Sequence, residues 1–135
     1  MSFSRTSSTA PLQVLSDQLR LLLRSQDSPS QMSAMVVDVP PGGYVPPHVH
    51  AREEEGYFVL EGELALTVGD ETRRLTSGDF AHVPPGTVHG YANQSRSTAR
   101  FLAWTVGGPI DPFFEETTLD LRCDREAPVL TLSFD

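Results

Sequence analysis

Short hydrophobic segments alternate with turn-forming residues along most of this chain. From about residue 11 to residue 106, runs of apolar and β-branched residues are separated at short intervals by Gly, Pro, Asp and Ser, which is typical of an antiparallel all-β domain. The pattern predicts eight strands, at Leu19–Arg24, Met32–Val39, Gly56–Leu60, Glu63–Val68, Thr72–Leu75, Phe80–Val83, Val88–Asn93 and Arg100–Val106. This number of short strands indicates a β-sandwich or a small β-barrel.

Proline pairs interrupt this strand pattern. The pairs Pro40–Pro41, Pro46–Pro47 and Pro84–Pro85 lack backbone N–H donors, so we expect them at strand ends, sheet edges or bulges. The aromatic strand around Phe101, Leu102 and Trp104 is expected to pack in the core, because aromatic residues in strands usually do.

The two ends of the chain differ from the middle. Residues 1–10 are rich in Ser and Thr without periodicity and predict a disordered tail, whereas residues 11–135 predict one domain with a barrel core at about 32–106. After Gly107 the pattern changes, and an Asp–Pro pair at Asp111 and Pro112 followed by acidic residues predicts a short helix over about 111–119.

Charge and composition exclude several kinds of chemistry. The 135-residue chain has 10 basic and 18 acidic residues, which gives 10 − 18 = −8 at pH 7, and every basic residue is Arg. Without Lys, neither Schiff-base chemistry nor a P-loop phosphate site is available. The acidic balance argues against nucleic-acid and anionic-membrane partners. The single cysteine, Cys123, leaves no disulfide framework, and a bound metal would need nitrogen and oxygen ligands.

Targeting signals are equally sparse. No run approaches 18 apolar residues, and the first ten residues lack an apolar signal core, so we expect a cytoplasmic protein.

All four histidines lie within a short stretch of the sequence. His48 and His50 are two residues apart, so on a strand both imidazoles point to the same face. Carboxylates follow in the run Glu53–Glu55, and His89 comes after a Pro–Gly turn that can return a strand beside the first pair. An isolated His-x-His is a weak signal that surface histidines also produce. Three neutral imidazoles and one carboxylate, however, could hold a divalent first-row metal with positions left open.

At these residues the chain strongly resembles the cupin superfamily. The first cupin motif is matched by Gly42, five residues, then His48 and His50, four residues to Glu55 and six to Gly62. The second motif is matched by Gly78, five residues to the Pro84–Gly86 turn, two to His89 and three to Asn93. The fifteen residues between the motifs resemble those of a minimal single cupin.

This resemblance implies an all-β cupin jelly-roll barrel (double-stranded β-helix) with a metal at its mouth. The implied ligands are His48, His50, Glu55 and His89. Glu54 is an alternative to Glu55, but it would leave seven residues before Gly62, and Glu53 and Glu54 are expected to be solvated. Period-two alternation then places four candidate pocket residues on the same faces as the ligands: Tyr57, Val59, Tyr91 and Asn93. Asn93 could instead bond to the backbone at a strand end.

The local sequences around the two motifs resemble single-domain quercetin-dioxygenase-type cupins and polyketide-cyclase-like relatives. The leading hypothesis is a metal-dependent dioxygenase acting on a small phenolic or enolisable substrate, with Glu55 as both ligand and general base. Alternatives are a metal-dependent cyclase or isomerase, or a metal-dependent binding domain without turnover. One ion of Fe, Mn, Ni, Co, Cu or Zn would suit this ligand set.

Three further expectations concern residues beyond the ligand set. His82 precedes the second turn, where the family has no ligand, so a structural or pocket-edge role is expected. Phe113 and Phe114 either anchor the late helix to the barrel or gate its mouth. Small cupins commonly pair through sheet faces, and the resemblance implies a homodimer with Leu12–Arg24 as the exchanged or interface segment.

Overall fold

The fold, taken from a computed structural model, consists of two facing β-sheets. The structure describes residues 1–112 and 130–132. The strands are β1 (Leu12–Val14), β2 (Asp17–Leu23), β3 (Ser33–Val39), β4 (Tyr44–His50), β5 (Glu54–Glu61), β6 (Glu63–Val68), β7 (Glu71–Thr76), β8 (Phe80–Val83), β9 (His89–Ala92), β10 (Ala99–Val106) and β11 (Leu130–Leu132), with 3-10 turns at Thr6–Ser8 and Ser25–Asp27. One sheet has the order β1-β2-β3-β10-β5-β8, and the other has the order β11-β4-β9-β6-β7. This arrangement confirms the all-β jelly-roll prediction.

The alternation of inward and outward residues builds a single hydrophobic core between the sheets. In β10 every second residue is buried, so Phe101 is 1% exposed while Leu102 and Trp104 are only partly buried. Phe101 packs in the core with Val39, Val59 and Leu64. The expectation that Trp104 and Leu102 also lie in the core is wrong, because period-two alternation turns them to the outer face of the sheet.

Strand β4 was missed by the sequence pattern, although it carries the His-x-His pair. The strand pairs with β9 through Tyr44–Ala92, Val45–Tyr91 and His48–His89, with a register shift between Val45 and His48. Pro46 and Pro47 fall in that shift, where a ladder hydrogen bond is not required. The prolines therefore mark a bulge, which is one of the three positions predicted for them.

The turns next to the candidate ligands are fixed by glycine and by one asparagine. The Gly86 N–H donates to the His50 carbonyl over 2.8 Å, and Gly86 has φ +75, a conformation that favours glycine. This bond ties the turn before β9 to the end of β4. The Asn93 side chain donates to the carbonyls of Val39 and Ser97 over 3.0 and 2.8 Å, so it holds three segments of backbone together.

The sequence predicted a disordered tail at the start of the chain and a short helix near its end. Within the predicted N-terminal tail, Thr6–Ser8 form a 3-10 turn and the Ser4 hydroxyl donates to the Leu22 carbonyl. The helix predicted over 111–119 lies, from residue 113 onward, outside the described residues, as do Phe113, Phe114 and Cys123. Asp111 is described, and its carboxylate accepts from the Ser25 N–H at 3.3 Å. Within the part of the chain that is described, no helix has the length and apolar character needed to cross a bilayer.

Candidate metal centre

The four residues predicted as ligands meet at one point between the two sheets. His48 and His50 lie on the inner face of β4, His89 begins β9 in the same sheet, and Glu55 reaches them from β5 of the facing sheet. One ligand atom from each of the four lies within 4.8 Å of the others, and all four residues are buried. The imidazole centroids are 4.2 to 5.2 Å apart. Two residues of β4, one of β9 and one of β5 thus form a compact cluster of donors.

Backbone carbonyls orient two of the three imidazoles. His48 Nδ1 lies 2.9 Å from the Pro46 carbonyl oxygen, and His89 Nδ1 lies 2.9 Å from the Thr87 carbonyl oxygen. A carbonyl only accepts, so in each ring Nδ1 carries the proton and donates it. This leaves the Nε2 lone pair of each neutral ring directed into the cluster, which is how metal-binding histidines are usually fixed.

The contact between His89 and Glu55 tests whether a cation suits the cluster. His89 Nε2 lies 2.9 Å from Glu55 Oε2, and His50 Nε2 lies 3.6 Å from the same oxygen. With the proton of neutral His89 on Nδ1, the lone pairs of Nε2 and Oε2 face each other, so a proton or a metal ion is needed to make this contact favourable. In addition, His50 Nδ1 is buried without a hydrogen-bond partner among the described residues. The donor set therefore fits a divalent transition metal.

The pKa shifts in the cluster follow from burial and from mutual charge. Burial, followed by the charge of His89, lowers the pKa of His48 to about 4, and burial also lowers the pKa of His50. Burial opposes the charge on His89 as well, but its hydrogen bond to Glu55 and the charge of Glu55 raise the pKa of His89. Burial opposes the charge on Glu55, yet the hydrogen bond to His89 and the charges of the imidazoles lower its pKa. Without metal, His89 and Glu55 thus form a buried ion pair beside two neutral imidazoles.

Glu53 and Glu54, which precede Glu55 in the sequence, take different positions in the structure. Glu54, the alternative to Glu55, points outward and pairs with His82 at 2.6 Å, with both side chains about half exposed. His82 therefore lies at the surface, and the structural or pocket-edge role expected for it stays a prediction. The expectation that Glu53 is solvated is wrong, because it is 5% exposed and its carboxylate packs so closely against Gly108 that a Cβ there would collide with it.

The four predicted pocket residues lie at different depths. The Tyr57 ring is 6.4 Å from the His89 ring, and the ring of partly buried Tyr91 is 6.3 Å from that of Tyr57. Val59 is fully buried in the hydrophobic core, and the Asn93 amide is taken up by the backbone. For all four residues, contact with a substrate stays a prediction.

One polar contact of the interior was missed by sequence reasoning, because the Tyr91 hydroxyl donates to Asp17 over 2.5 Å. Burial, followed by the charge of Glu55, raises the pKa of Tyr57, which lies two residues from Glu55 on the same strand. No signal in the sequence joins Asp17 to Tyr91, because they are 74 positions apart.

Comparison with known protein families identifies the family to which this chain belongs. Residues 35–105 match the family model described as a cupin domain, so the chain belongs to the cupin family. The matched range covers all four residues of the cluster.

Individual relatives share part of the chain or the fold. A segment of 69 residues is 44% identical to quercetin 2,3-dioxygenase of Bacillus subtilis, covering 51% of this chain and 20% of that enzyme. The chain spans less than half the length of the curated relatives it matches.

Two solved structures are similar over most of the domain. The polyketide cyclase RemF from Streptomyces resistomycificus is similar over 78% of this chain and 79% of its own, with 26% identity and a TM-score of 0.69. KdgF from Halomonas sp. is similar over 82% of this chain and 99% of its own, with a TM-score of 0.73 and 22% identity, which establishes the common fold alone.

Proposed function

We propose that this cupin is a metal-dependent dioxygenase that acts on a small phenolic or enolisable substrate. The observation that carries the proposal is the buried cluster of three imidazoles and one carboxylate, whose donor atoms converge within 4.8 Å. The similarity of half the chain to a quercetin dioxygenase supports this choice of chemistry. Because the matched segment covers only a fifth of that enzyme, its substrate is a guide to chemical class and not an assignment.

The ligands in this proposal are His48, His50, Glu55 and His89. A divalent transition metal bound by them would supply Lewis acidity and open coordination positions for substrate and dioxygen. His48 and His50 suit this role at neutral pH, because burial lowers the pKa of each and keeps its ring unprotonated. The carbonyls of Pro46 and Thr87 hold the rings of His48 and His89 in orientation.

Glu55 is the candidate general base. Its pKa is lowered by His89 and the other imidazoles despite burial, so it is ionised at neutral pH and can accept a proton from a substrate hydroxyl or an acidic C–H group. It is the carboxylate that lies within the cluster. The Tyr57 and Tyr91 rings, stacked edge to face, would form an apolar wall suited to a flat substrate.

A second candidate is a metal-dependent cyclase or isomerase that consumes no oxygen. It is supported by the similarity to the polyketide cyclase RemF, which extends over 78% of this chain. In this case the same carboxylate would move a proton between substrate atoms while the bound cation polarised a carbonyl group.

Oxygen consumption distinguishes these functions. The protein would be reconstituted separately with Fe, Mn, Ni, Co, Cu and Zn, and each form tested in an oxygen electrode with a panel of flavonols and diketones, with product analysis. Metal-dependent oxygen uptake that disappears in Glu55→Gln supports the dioxygenase. Substrate conversion without uptake supports the cyclase or isomerase, and metal-dependent binding without conversion would indicate a binding domain. Absence of uptake with every metal would overturn the dioxygenase proposal.

A further inference from the structure

Two arginines on the outer face of the larger sheet share one carboxylate. Arg20 of β2 and Arg100 of β10 lie on either side of Asp38 in β3. Arg100 donates to Asp38 through Nε over 2.7 Å and through Nη2 over 3.2 Å, and Arg20 donates through Nη1 over 3.0 Å. The Asp38 carboxylate therefore holds two guanidinium groups side by side.

This arrangement leaves positive charge and hydrogen-bond donors for another partner. Each guanidinium group has five N–H donors, and the bonds to Asp38 engage only some of them. The side chains of Arg20 and Arg100 are 21% and 38% exposed, and two cations against one anion leave an excess of positive charge. Glu61 lies opposite Arg100 on the side away from Arg20, so this excess is directed towards Arg20.

The N-terminal segment encloses a pocket over this arginine pair. Thr6–Pro11 line the pocket together with Arg20 and Arg100, and its volume is about 580 Å³. Among the described residues that line it, only the two arginines are charged. The carboxylates of Asp38 and Glu61 thus lie outside a lining that consists mainly of guanidinium groups and hydroxyl groups.

Contacts with β2 hold the N-terminal wall of the pocket in place. The Ser4 hydroxyl donates to the Leu22 carbonyl on one side of the wall, and β1 pairs with β2 on the other side. Between these ties, the hydroxyls of Ser8 and Thr9 both donate to the Arg5 carbonyl, over 3.2 and 2.8 Å. The wall that faces the arginines therefore has a defined shape.

The chemistry of this lining suits an oxyanion. Guanidinium groups bind phosphate and carboxylate oxygens through paired N–H donors, and hydroxyl groups can donate to the same oxygens. A phosphate group uses two guanidinium groups better than a carboxylate does, because it carries more charge and three acceptor oxygens. The volume falls within the range of about 300–1,000 Å³ of small-ligand sites, which leaves room for an organic group beside Ala10 and Pro11.

We propose that this pocket binds the phosphate group of a small phosphate monoester, with Arg20 and Arg100 as the anion-binding residues and Asp38 as the residue that positions them. The pocket is separate from the candidate metal centre, because Arg100 lies opposite Glu61 at the end of β5, whereas Glu55 lies near its start. The strand between Glu55 and Glu61 spans about 20 Å. The pocket is thus a second site, and it does not depend on the proposed function.

The test titrates metal-free protein with three anions: phenyl phosphate, inorganic phosphate and sulfate. The ionic strength is kept constant, because salt screens exposed charges. Nitrogen-15 NMR follows the side-chain Nε–H resonances of the ten arginines. We expect phenyl phosphate to shift the resonances of Arg20 and Arg100 most, in a saturable manner, and to bind more tightly than the two inorganic anions.

Two variants remove the guanidinium groups one at a time. Arg20→Gln and Arg100→Gln should each raise the Kd for phenyl phosphate about tenfold, the effect of losing a charge-assisted hydrogen bond. Arg73→Gln is the matched control, because Arg73 is also paired with a carboxylate, that of Glu71, but lies on β7 of the other sheet. We expect this control to bind phenyl phosphate like the wild type.

A further variant covers the case in which loss of an arginine disturbs the sheet. Ser7→Glu places a carboxylate on the pocket wall and keeps the bonds of both arginines to Asp38, and it should weaken the binding of phenyl phosphate by a similar factor. Ser2→Glu adds the same charge at an exposed position outside the lining and should leave binding unchanged.

Three results would overturn the proposal. The absence of a saturable shift at Arg20 and Arg100 would exclude the site, and so would equal weakening in Arg100→Gln and Arg73→Gln. Equal affinity for phenyl phosphate and inorganic phosphate would replace the monoester with free phosphate as the ligand. Equal affinity for sulfate as well would indicate an adventitious ion only.

Discussion

The Nε2 atom of His89 lies 2.9 Å from Oε2 of Glu55 and joins the two sheets of the barrel at the candidate metal centre. The other ring nitrogen of His89 already donates to the Thr87 carbonyl. Nε2 and the carboxylate are therefore brought together around a site that must hold a proton or another cation.

Removal of one imidazole should strongly weaken metal binding. We expect His50→Ala to raise the metal Kd more than the roughly 10–100-fold typical of losing a group outside the ligand shell, because His50 is buried in the cluster and contributes a donor atom itself. Elemental analysis after dialysis, together with calorimetry, measures the effect. His82→Ala is the matched control, since His82 pairs with Glu54 at the surface. Equal metal content in the wild type and His50→Ala would remove His50 from the ligand set.

Metal binding should release a proton in mildly acidic solution. In the metal-free protein, the hydrogen bond and charge of Glu55 raise the pKa of His89 despite burial, while the pKa values of His48 and His50 are lowered. At pH 6, binding of Zn²⁺ should thus displace on the order of one proton, and the number should fall as the pH rises.

Calorimetry at pH 6 in buffers of different ionisation enthalpy counts these protons, and the same titrations at pH 8 are the control. A binding enthalpy that is independent of the buffer at pH 6 would contradict the charged state assigned to His89.

The carboxyl group of Asp17 should make the protein less stable as the pH rises. Burial raises its pKa from 3.8 to about 6, although hydrogen bonds from Tyr91 and Ser16 oppose the shift. Because the folded state holds the proton more tightly, its contribution to the free energy of unfolding is greatest below about pH 4 and is lost as the pH rises through about 6. The shift of about two units corresponds to on the order of 3 kcal/mol.

Urea unfolding of the wild type and Asp17→Asn at pH 4 and pH 7 measures this contribution. When the pH rises from 4 to 7, we expect the free energy of unfolding of the wild type to fall relative to that of Asp17→Asn, by on the order of 3 kcal/mol. Asp70→Asn, in the exposed turn between β6 and β7, is the control. The same pH dependence in all three proteins would contradict the raised pKa.

Self-association should depend on the aromatic outer face of the larger sheet. Among residues 1–112, the exposed large hydrophobic residues beyond the first three positions are Phe58, Leu60 and Phe80, and Phe80 stacks on Trp104. The Leu12–Arg24 segment, predicted as the exchanged or interface element, pairs with β3 and contributes Leu19 and Leu21 to the core, and its role in a dimer stays a prediction. We therefore propose that a homodimer would use the face around Phe80, because exposed apolar patches mark association sites.

Light scattering after gel filtration measures the mass of the wild type, Phe80→Ser and the control Phe3→Ser, in which another exposed phenylalanine is changed at the N-terminus. We expect a dimer that only Phe80→Ser dissociates at micromolar concentration. A wild-type monomer would reject the homodimer, and a dimeric Phe80→Ser would place its interface elsewhere.

The sequence alone determined the alternation of short strands with turns and the identity of the clustered residues. His48 and His50 share a face because strand geometry has a period of two, and the matches to both cupin motifs brought Glu55 and His89 into the same predicted site. Alternation also places Phe101 and Trp104 on opposite faces of β10, but it could not tell which of the two would face the core. That choice depends on register and on the room above Gly56, where the Trp104 ring lies.

Only the tertiary structure decided the contacts that cross from one sheet to the other. The sequence pattern did not predict strand β4, because prolines are unfavourable within a strand. In the structure, the register shift where β4 pairs with β9 accommodates them. The bond between Asp17 and Tyr91 crosses from one sheet to the other, and the burial of Glu53 against Gly108 brings together residues far apart in the sequence. Local periodicity specifies the direction of a side chain, but burial, partners and pKa depend on residues distant in sequence that the closed barrel brings together.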